Sequence, residues 1–218
     1  MTTSGISDQT SPDSTKLGEW LFRHRTALPL PIAAAILVLR TGEAAPSVPL
    51  VAAGVALTAA GELIRVWGVH HIGAISRTRS DRLGPLVDTG PFALVRNPLY
   101  VGNILIWVGF ALSARLVWLA PVVGVVLAVE YHAIVRWEEQ LLTTRLGAAY
   151  SAYSARVPRW LPTFNRRERK ERREQDFSAR SASSAVKSFS WTDTLFSERG
   201  TLIAIAAGYT LLWLKAQL

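Results

Sequence analysis

The sequence predicts an all-α fold, a multi-pass membrane helix bundle of about five transmembrane helices. Hydrophobic residues make up 50% of the 218 residues, and they are concentrated in a few long stretches. Arginine-rich segments separate these stretches on alternate sides, which is typical of membrane proteins that follow the positive-inside rule. We therefore expect the chain to be an integral membrane protein.

Three apolar stretches are long enough to span a bilayer with some tilt, at residues 48–75, 99–135 and 201–214. A shorter stretch, 27–39, is marginal in length and is expected to form a tilted or interfacial helix. The stretch 99–135 is too long for a single crossing. The sequence Ser-Ala-Arg at 113–115 divides it, which predicts a helical hairpin.

The distribution of charge predicts the orientation of the chain. The net charge is +8, and cations stand before the first helix (Arg23, His24 and Arg25) and after the second (residues 77–82), whereas residues 41–47 contain neither Lys nor Arg. This alternation places the N-terminus in the cytoplasm and argues against nucleic acid as a partner. Because the chain has no cysteine, a disulfide framework and a thiolate metal site are both excluded.

The chain is predicted to have four parts. Residues 1–16 are polar, lack the order of a cleaved signal and are expected to be a disordered tail. Residues 17–164 form the membrane core, and 165–190 form a charged cytoplasmic linker that rests against anionic headgroups or binds a partner. Residues 191–218 add a C-terminal membrane helix, which packs on its own bundle or on another copy in an oligomer.

Asn97 and Pro98 predict the start of a helix. Asn is a favoured N-cap residue, and Pro at the first helical position loses a hydrogen bond that it would lack anyway. The new helix would present free backbone N–H groups and the positive end of its dipole at the membrane surface. With Arg96 beside it, this helix start is a candidate anion site.

The helix that follows is predicted to have two different faces. Tyr100, Asn103 and Trp107 share one side, where polar and aromatic groups suggest a pocket. Gly102 and Gly109 lie nearly opposite, where small residues let another helix approach closely. An aromatic belt at the membrane interface with an ordinary packing groove is the alternative interpretation.

A second polar group follows the apolar stretch 99–135. Glu138 and Glu139 stand just past it, and Tyr150, Tyr153 and Val157 then share one helix face. "VPRWLP" turns the chain back at the interface. Carboxylates, phenols and arginines are therefore expected to gather beside the predicted helix start, although a solvated helix end would also explain the two acids.

Other polar residues are weaker candidates. Glu62 and Arg65 are three apart on a predicted membrane helix, so pairing with each other is the simpler interpretation. The two histidines at 70–71 are neighbours that point apart on a helix, which argues against a shared metal site. Glu130 and His132 are candidates to line a site at the base of their helix.

These motifs resemble those of the isoprenylcysteine carboxyl methyltransferase and phospholipid methyltransferase family of integral membrane methyltransferases. The matching segments are "TGPFALVRNPLYVG" and, about 30 residues later as in that family, "EEQLLTTRLGAAYSAYSARVPRWLP"; "AAGELIRVWGVHHIG" upstream matches less specifically. The resemblance covers residues 54–162 and excludes the last helix. The family histidine is Asn97 here, which can form hydrogen bonds but cannot carry an imidazolium charge.

The resemblance implies methyl transfer from S-adenosylmethionine to a lipophilic acceptor, such as a prenylated carboxylate or a phospholipid amine, that enters from the bilayer. It implies a cofactor pocket on the cytoplasmic side, with membrane lipids and a lipophilic or lipidated substrate as partners. Arg96 and Glu138 are the implied catalytic residues. The implied cofactor-binding residues are Leu94, Val95, Asn97, Tyr100, Gly102, Asn103, Glu139 and Tyr150.

Two other functions remain open from the sequence. A membrane reductase resembling the steroid reductase group would use a nicotinamide cofactor, although the chain has no clear dinucleotide signature. A non-catalytic membrane scaffold would use the basic linker and the last helix for assembly. The response to each cofactor distinguishes the three.

Overall fold

The computed structural model describes residues 12–73, 86–162 and 190–218. Their secondary structure is entirely helical, so the predicted all-α fold is confirmed for these ranges. The helices are α1 Pro12–His24, α2 Leu30–Val38, α3 Val48–Ile72, α4 Pro98–Ser113, α5 Leu119–Leu146, α6 Ala148–Arg156 and α7 Trp191–Gln217, with a short 3₁₀ helix at Gly90–Ala93.

Two of these helices, α3 and α5, are long and apolar enough to cross a membrane, and α4 is a shorter apolar helix of 16 residues. The count of about five spans therefore stays a prediction. The predicted break of the stretch 99–135 is confirmed, because α4 ends at Ser113 and α5 begins at Leu119.

Helix α5 continues well beyond the predicted apolar end at residue 135. Residues 136–146 are polar but rich in Glu, Gln, Leu and Arg, which have high helix propensity, so the helix runs on to Leu146. It stops at Gly147, whose φ of +53° lies in the left-handed region that favours glycine. Glu138 and Glu139 consequently lie inside a helix.

Paired glycines bring α3 and α4 into close antiparallel contact. A Cβ atom added to Gly102 would lie 2.6 Å from the carbonyl oxygen of Gly61, and one added to Gly109 would lie 2.6 Å from that of Gly54. No side chain larger than hydrogen fits at these distances, so the two backbones touch directly. The predicted close approach of a helix to the glycine face of α4 is confirmed.

Helix α7 packs antiparallel to α3, and its C-terminal end reaches α2. Near one end, the Nδ1 atom of His70 lies 3.2 Å from the Thr194 hydroxyl. In the middle, the Tyr209 hydroxyl donates to Thr58 Oγ1 at 2.9 Å, and at the far end Lys215 donates to backbone carbonyls at the end of α2. The last helix therefore packs on its own bundle, and the oligomer contact remains a prediction.

Only parts of the predicted N-terminal tail and of the predicted linker lie within the described residues. Helix α1 begins at Pro12, so residues 12–16 of the predicted disordered tail are helical; Pro is well suited to a first helical turn. The same helix packs on α5, with the Phe22 and Trp137 ring centroids 4.9 Å apart. Residues 1–11 and nearly all of the predicted linker, 165–189, lie outside the described residues.

Candidate functional site

An arginine–glutamate cluster joins the start of α4, the C-terminal part of α5 and the turn after α6. Arg96 Nη1 lies 3.0 Å from Glu139 Oε1. Arg159 donates from Nε and Nη2 to the same carboxylate, at 3.1 Å and 2.7 Å. All three side chains are mostly buried, so these charge-assisted contacts are shielded from solvent. Two guanidinium groups face one carboxylate, which leaves the cluster with excess positive charge.

Backbone contacts fix the start of α4 against the segment that follows α6. The Arg96 N–H donates to the carbonyl oxygen of Pro158 at 2.9 Å, and Asn97 Nδ2 donates to that of Arg159 at 3.1 Å. Asn97 occupies the predicted N-cap position, but within the described ranges its side chain makes no capping hydrogen bond. Its ψ of 53° departs from the usual extended N-cap conformation, and the amide serves the tertiary contact instead.

One donor of the cluster is available to a ligand. Arg96 Nε is buried and has no hydrogen-bond partner among the described residues. A buried donor without a partner is unfavourable, so an incoming anion would relieve that cost. The helix dipole of α4, which begins two residues later at Pro98, adds to the attraction for negative charge.

The phenols of α6 complete this side of the cluster. Tyr150, Tyr153 and Val157 are buried together, which confirms the predicted shared face. Burial raises the pKa of Tyr150 to about 12, the nearby Glu139 adds to the rise, and a hydrogen bond with Arg96 partly opposes it. The pKa of Tyr153 is also raised by burial. Both hydroxyls therefore stay protonated at neutral pH.

The other acid of the pair, Glu138, has a different partner. The Tyr100 hydroxyl donates to Glu138 Oε2 at 3.1 Å, and the Tyr100 ring packs on that of Tyr131 with centroids 4.8 Å apart. Arg25 also interacts electrostatically with Glu138. Because successive residues of a helix point about 100° apart, the two adjacent acids reach separate environments.

The remaining predicted cofactor-binding residues are Leu94, Val95, Gly102 and Asn103. Val95 is buried and Leu94 is exposed, both just before α4. Gly102 faces α3, where its contacts are those of helix packing. Asn103 accepts a hydrogen bond from Arg65 Nη1 at 2.6 Å. The contacts of Gly102 and Asn103 therefore do not place them with Arg96 and Glu139.

Of the weaker candidates, Glu62, Arg65 and His70 have partners close by. Glu62 and Arg65 form the predicted pair, with 3.4 Å between Oε2 and Nε. His70 stacks on Trp191, with ring centroids 4.0 Å apart. Glu130 Oε1 is buried without a hydrogen-bond partner among the described residues. In the same ranges no three His, Cys, Asp or Glu side chains come together as a candidate metal site.

Sequence reasoning missed Arg159, which is the principal partner of Glu139. The residue lies between two prolines, Pro158 and Pro162, that were interpreted as turning the chain at the interface. An arginine held in a proline-flanked turn after two helical tyrosines was the available signal. Spacing alone does not indicate that this turn returns to the C-terminal part of α5.

The fold and the cluster together define the class of protein: a helical chain with two candidate membrane helices and a charged, mostly buried site where helix ends meet. Residues 50–149 match the family model described as phospholipid methyltransferase. The resemblance predicted from the motifs is confirmed over this region. The match includes the start of α4 and both acids, and stops before Tyr150, Arg159 and α7.

Two curated relatives are also similar to the chain. It is 28% identical over 152 residues to the nickel-cobalt-cadmium resistance protein NccN of Alcaligenes xylosoxydans xylosoxydans, an alignment that covers 67% of this chain and 68% of NccN. It is 31% identical over 77 residues to the cobalt-zinc-cadmium resistance protein CzcN of Cupriavidus metallidurans, with 35% of each chain covered. No solved structure matches the chain significantly.

Proposed function

We propose that the protein is a multi-pass membrane methyltransferase that transfers a methyl group from S-adenosylmethionine to a lipophilic acceptor entering from the bilayer. In this proposal the N-terminus and the cofactor site face the cytoplasm. The contact between Arg96 and Glu139 carries the proposal, because it joins the two family motifs in one site. The family match over residues 50–149 supports a membrane methyltransferase in general.

The residues of the site fit this cofactor. Its carboxylate suits the unpaired Arg96 Nε, the excess positive charge of the cluster and the start of α4. The Tyr150 hydroxyl, protonated at neutral pH, is a further donor beside Arg96. When bound, S-adenosylmethionine supplies a methyl group that its sulfonium has already activated, so the protein mainly has to position the acceptor.

The two adjacent acids, Glu138 and Glu139, have different roles in this proposal. The Glu139 carboxylate is engaged by Arg96 and Arg159, so we propose that it orients Arg96 rather than binding the cofactor hydroxyls itself. Glu138 accepts a hydrogen bond from Tyr100, and we propose that it is the carboxylate that acts on the acceptor. It would take the proton from an amine or thiol acceptor. A carboxylate acceptor needs no base and would be oriented by Arg96.

The competing functions are less well supported. A nicotinamide-dependent reductase and a non-catalytic scaffold both leave the match to the methyltransferase family unexplained. The names of NccN and CzcN concern metal resistance and state no reaction, so they do not alter the proposed chemistry.

Binding and transfer measurements on the full chain in detergent or nanodiscs test the proposal. Calorimetry would measure the affinity for S-adenosylmethionine, and radiolabelled cofactor with a lipid extract would measure methyl transfer. We expect Arg96→Ala to weaken cofactor binding about tenfold or more, and Glu138→Gln to slow transfer while binding is kept. Arg145→Gln, an exposed change on the same helix as Glu138, is the matched control.

The possible outcomes separate the alternatives. Wild-type binding and transfer in both site variants would remove the two assignments. Thermal stabilisation by a nicotinamide dinucleotide, with none by S-adenosylmethionine, would favour the reductase. A lack of response to either cofactor would favour the scaffold.

A further inference from the structure

We propose that α7 positions Tyr100 and Glu138 through a buried polar chain that runs from Glu198 through Arg65 and Asn103. This inference rests on the proposed function, in which Glu138 acts on the methyl acceptor. It assigns a role in the reaction to a helix that lies entirely outside the family match. The helix would act through other residues, so Glu198 and Arg65 are positioning residues.

This buried polar chain begins at the Glu198 carboxylate, which has no contact with solvent. Glu198 is 0% exposed, and its Oε2 accepts a hydrogen bond from Arg65 Nη2 at 2.8 Å. The Thr201 hydroxyl accepts from the same nitrogen at 3.1 Å. Burying a carboxylate on an apolar helix is costly unless a cation pairs with it. Because the Arg65 guanidinium lies closer to Glu198, at 2.8 Å, than to Glu62 on its own helix, at 3.4 Å, the position of α7 helps to determine where that guanidinium lies.

The second link crosses from α3 to α4. Arg65 Nη1 donates to Asn103 Oδ1 at 2.6 Å. The guanidinium is a rigid planar fork, so the nitrogen that binds Glu198 and the nitrogen that binds Asn103 cannot move independently. Pairing at one side of the fork consequently sets the orientation of the Asn103 amide at the other.

The third link reaches the proposed reaction site. Tyr131 is 2% exposed, and both the Asn103 side chain and the Arg65 charge interact with it. Its ring packs on Tyr100 at 4.8 Å, and the Tyr100 hydroxyl donates to Glu138 at 3.1 Å. Rings packed at interior density transmit small displacements to each other. Glu198 thus helps to determine the direction of the Tyr100 hydroxyl.

A purely structural clamp is the competing explanation, and tyrosine spectroscopy distinguishes the two. The sequence has five tyrosines, so a protein labelled with ¹³C at tyrosine Cζ gives few signals, each assignable by a Tyr→Phe variant. The test variant is Glu198→Gln in the full chain. The control is Arg199→Gln, an exposed change next to it whose Nη1 bonds to Phe196 O on the same helix.

We expect Glu198→Gln to shift the signals of Tyr100 and Tyr131 and to leave those of Tyr150 and Tyr153 in place. In the transfer assay kcat should fall about tenfold to a hundredfold, because the acid is displaced. The cofactor KM should stay within about twofold. Arg199→Gln should match the wild type in every measurement.

Arg65→Lys is a second test that keeps a positive charge beside Glu198 but removes the fork. It should shift the same two tyrosine signals, and it decides the matter if Glu198→Gln does not fold. Unshifted Tyr100 and Tyr131 signals in a folded variant would overturn the positioning chain. If the variants shift the tyrosine signals but the wild type binds no S-adenosylmethionine, the proposed function is overturned. The series of contacts from Glu198 to Tyr100 would still hold in that case.

Discussion

Arg96 and Glu139, which belong to two separate sequence motifs, form an ion pair of 3.0 Å between Nη1 and Oε1. Arg159 binds the same carboxylate through two nitrogens. A single acid therefore holds together the start of α4, the C-terminal part of α5 and the turn after α6. Removing the Glu139 carboxylate should therefore change both the stability of the protein and its affinity for an anionic ligand.

Glu139→Gln should lower the free energy of unfolding by about 2–4 kcal/mol, because two mostly buried arginines lose their carboxylate. Denaturant or thermal unfolding in detergent would measure this loss. Glu19→Gln is the matched control, since Glu19 also pairs with an arginine, Arg23, but at an exposed site. That change should cost less than about 1 kcal/mol. Equal effects of the two changes would contradict the structural importance of the cluster.

Tyr100→Phe should reduce methyl transfer about tenfold to a hundredfold while the cofactor affinity is kept, because it removes only the hydroxyl that donates to Glu138. The ring contact with Tyr131 is retained, so the melting temperature should change little. Single-turnover kinetics with radiolabelled cofactor would measure the effect. Arg145→Gln, the exposed control on α5, should transfer at the wild-type rate. A wild-type rate for Tyr100→Phe would argue against a role for this hydroxyl.

Asn97→Ala should weaken cofactor binding, because the Asn97 amide ties the start of α4 to the carbonyl of Arg159 at 3.1 Å. Asn97→His should restore much of the binding, since a ring N–H can donate to the same carbonyl. Calorimetry on both variants would test whether hydrogen bonding is what this position contributes. If Asn97→His binds no better than Asn97→Ala, that explanation fails.

Gly102→Ala should destabilise the protein by about 1–3 kcal/mol, because the added methyl group would lie 2.6 Å from the Gly61 carbonyl oxygen and force α3 and α4 apart. Gly124→Ala is the control. Its added Cβ would meet nothing nearer than a Val108 methyl group at 3.5 Å, so its effect should be small or favourable. Thermal unfolding of the two variants compares them directly, and similar losses would be inconsistent with the close contact of the helices.

Glu43 should make stability depend on pH in the acid range. Its ion pair with the Lys215 ammonium, at 2.9 Å, holds the pKa of this carboxyl below the ordinary value of 4.5, and Arg115 lowers it further. A carboxyl with a lowered pKa in the folded state stabilises fully above the ordinary value and loses that contribution as the pH falls through the lowered one. The melting temperature of the wild type should therefore exceed that of Glu43→Gln above about pH 4.5, and the difference should shrink below it. A difference that stays constant down to pH 3 would exclude this linkage.

Much of the fold follows from local sequence. Residues 48–72 of the apolar stretch 48–75 form α3, the Asn97–Pro98 pair begins α4, and the polar break at 113–115 ends it. These features depend on residues close together in the chain, where propensity and turn chemistry act directly. Helix α5 runs on to Leu146, past the apolar end at residue 135, because hydropathy marks where a helix leaves an apolar environment, whereas helix propensity decides where it stops.

The site likewise has features that the sequence predicted and features that it did not. The gathering of the two acids, the α6 tyrosines and the α4 start was predicted from shared helix faces and from the family motifs. The role of Arg159 and the separation of Glu138 from Glu139 were not, because each depends on how whole helices are rotated and shifted against one another.

The sequence by itself determined that this is a helical chain with apolar helices, a proline-led helix start and a pair of acids in methyltransferase-family order. Apart from the Glu62–Arg65 pair, which helix spacing predicts, only the tertiary structure decided which of these side chains meet. In the structure, Glu139 pairs with Arg96 and Arg159, and Glu198 of the last helix pairs with Arg65. Glu138 accepts a hydrogen bond from Tyr100. The reason is physical: an ion pair forms where helix packing brings two side chains within about 4 Å, and a linear pattern of residues contains no such distance.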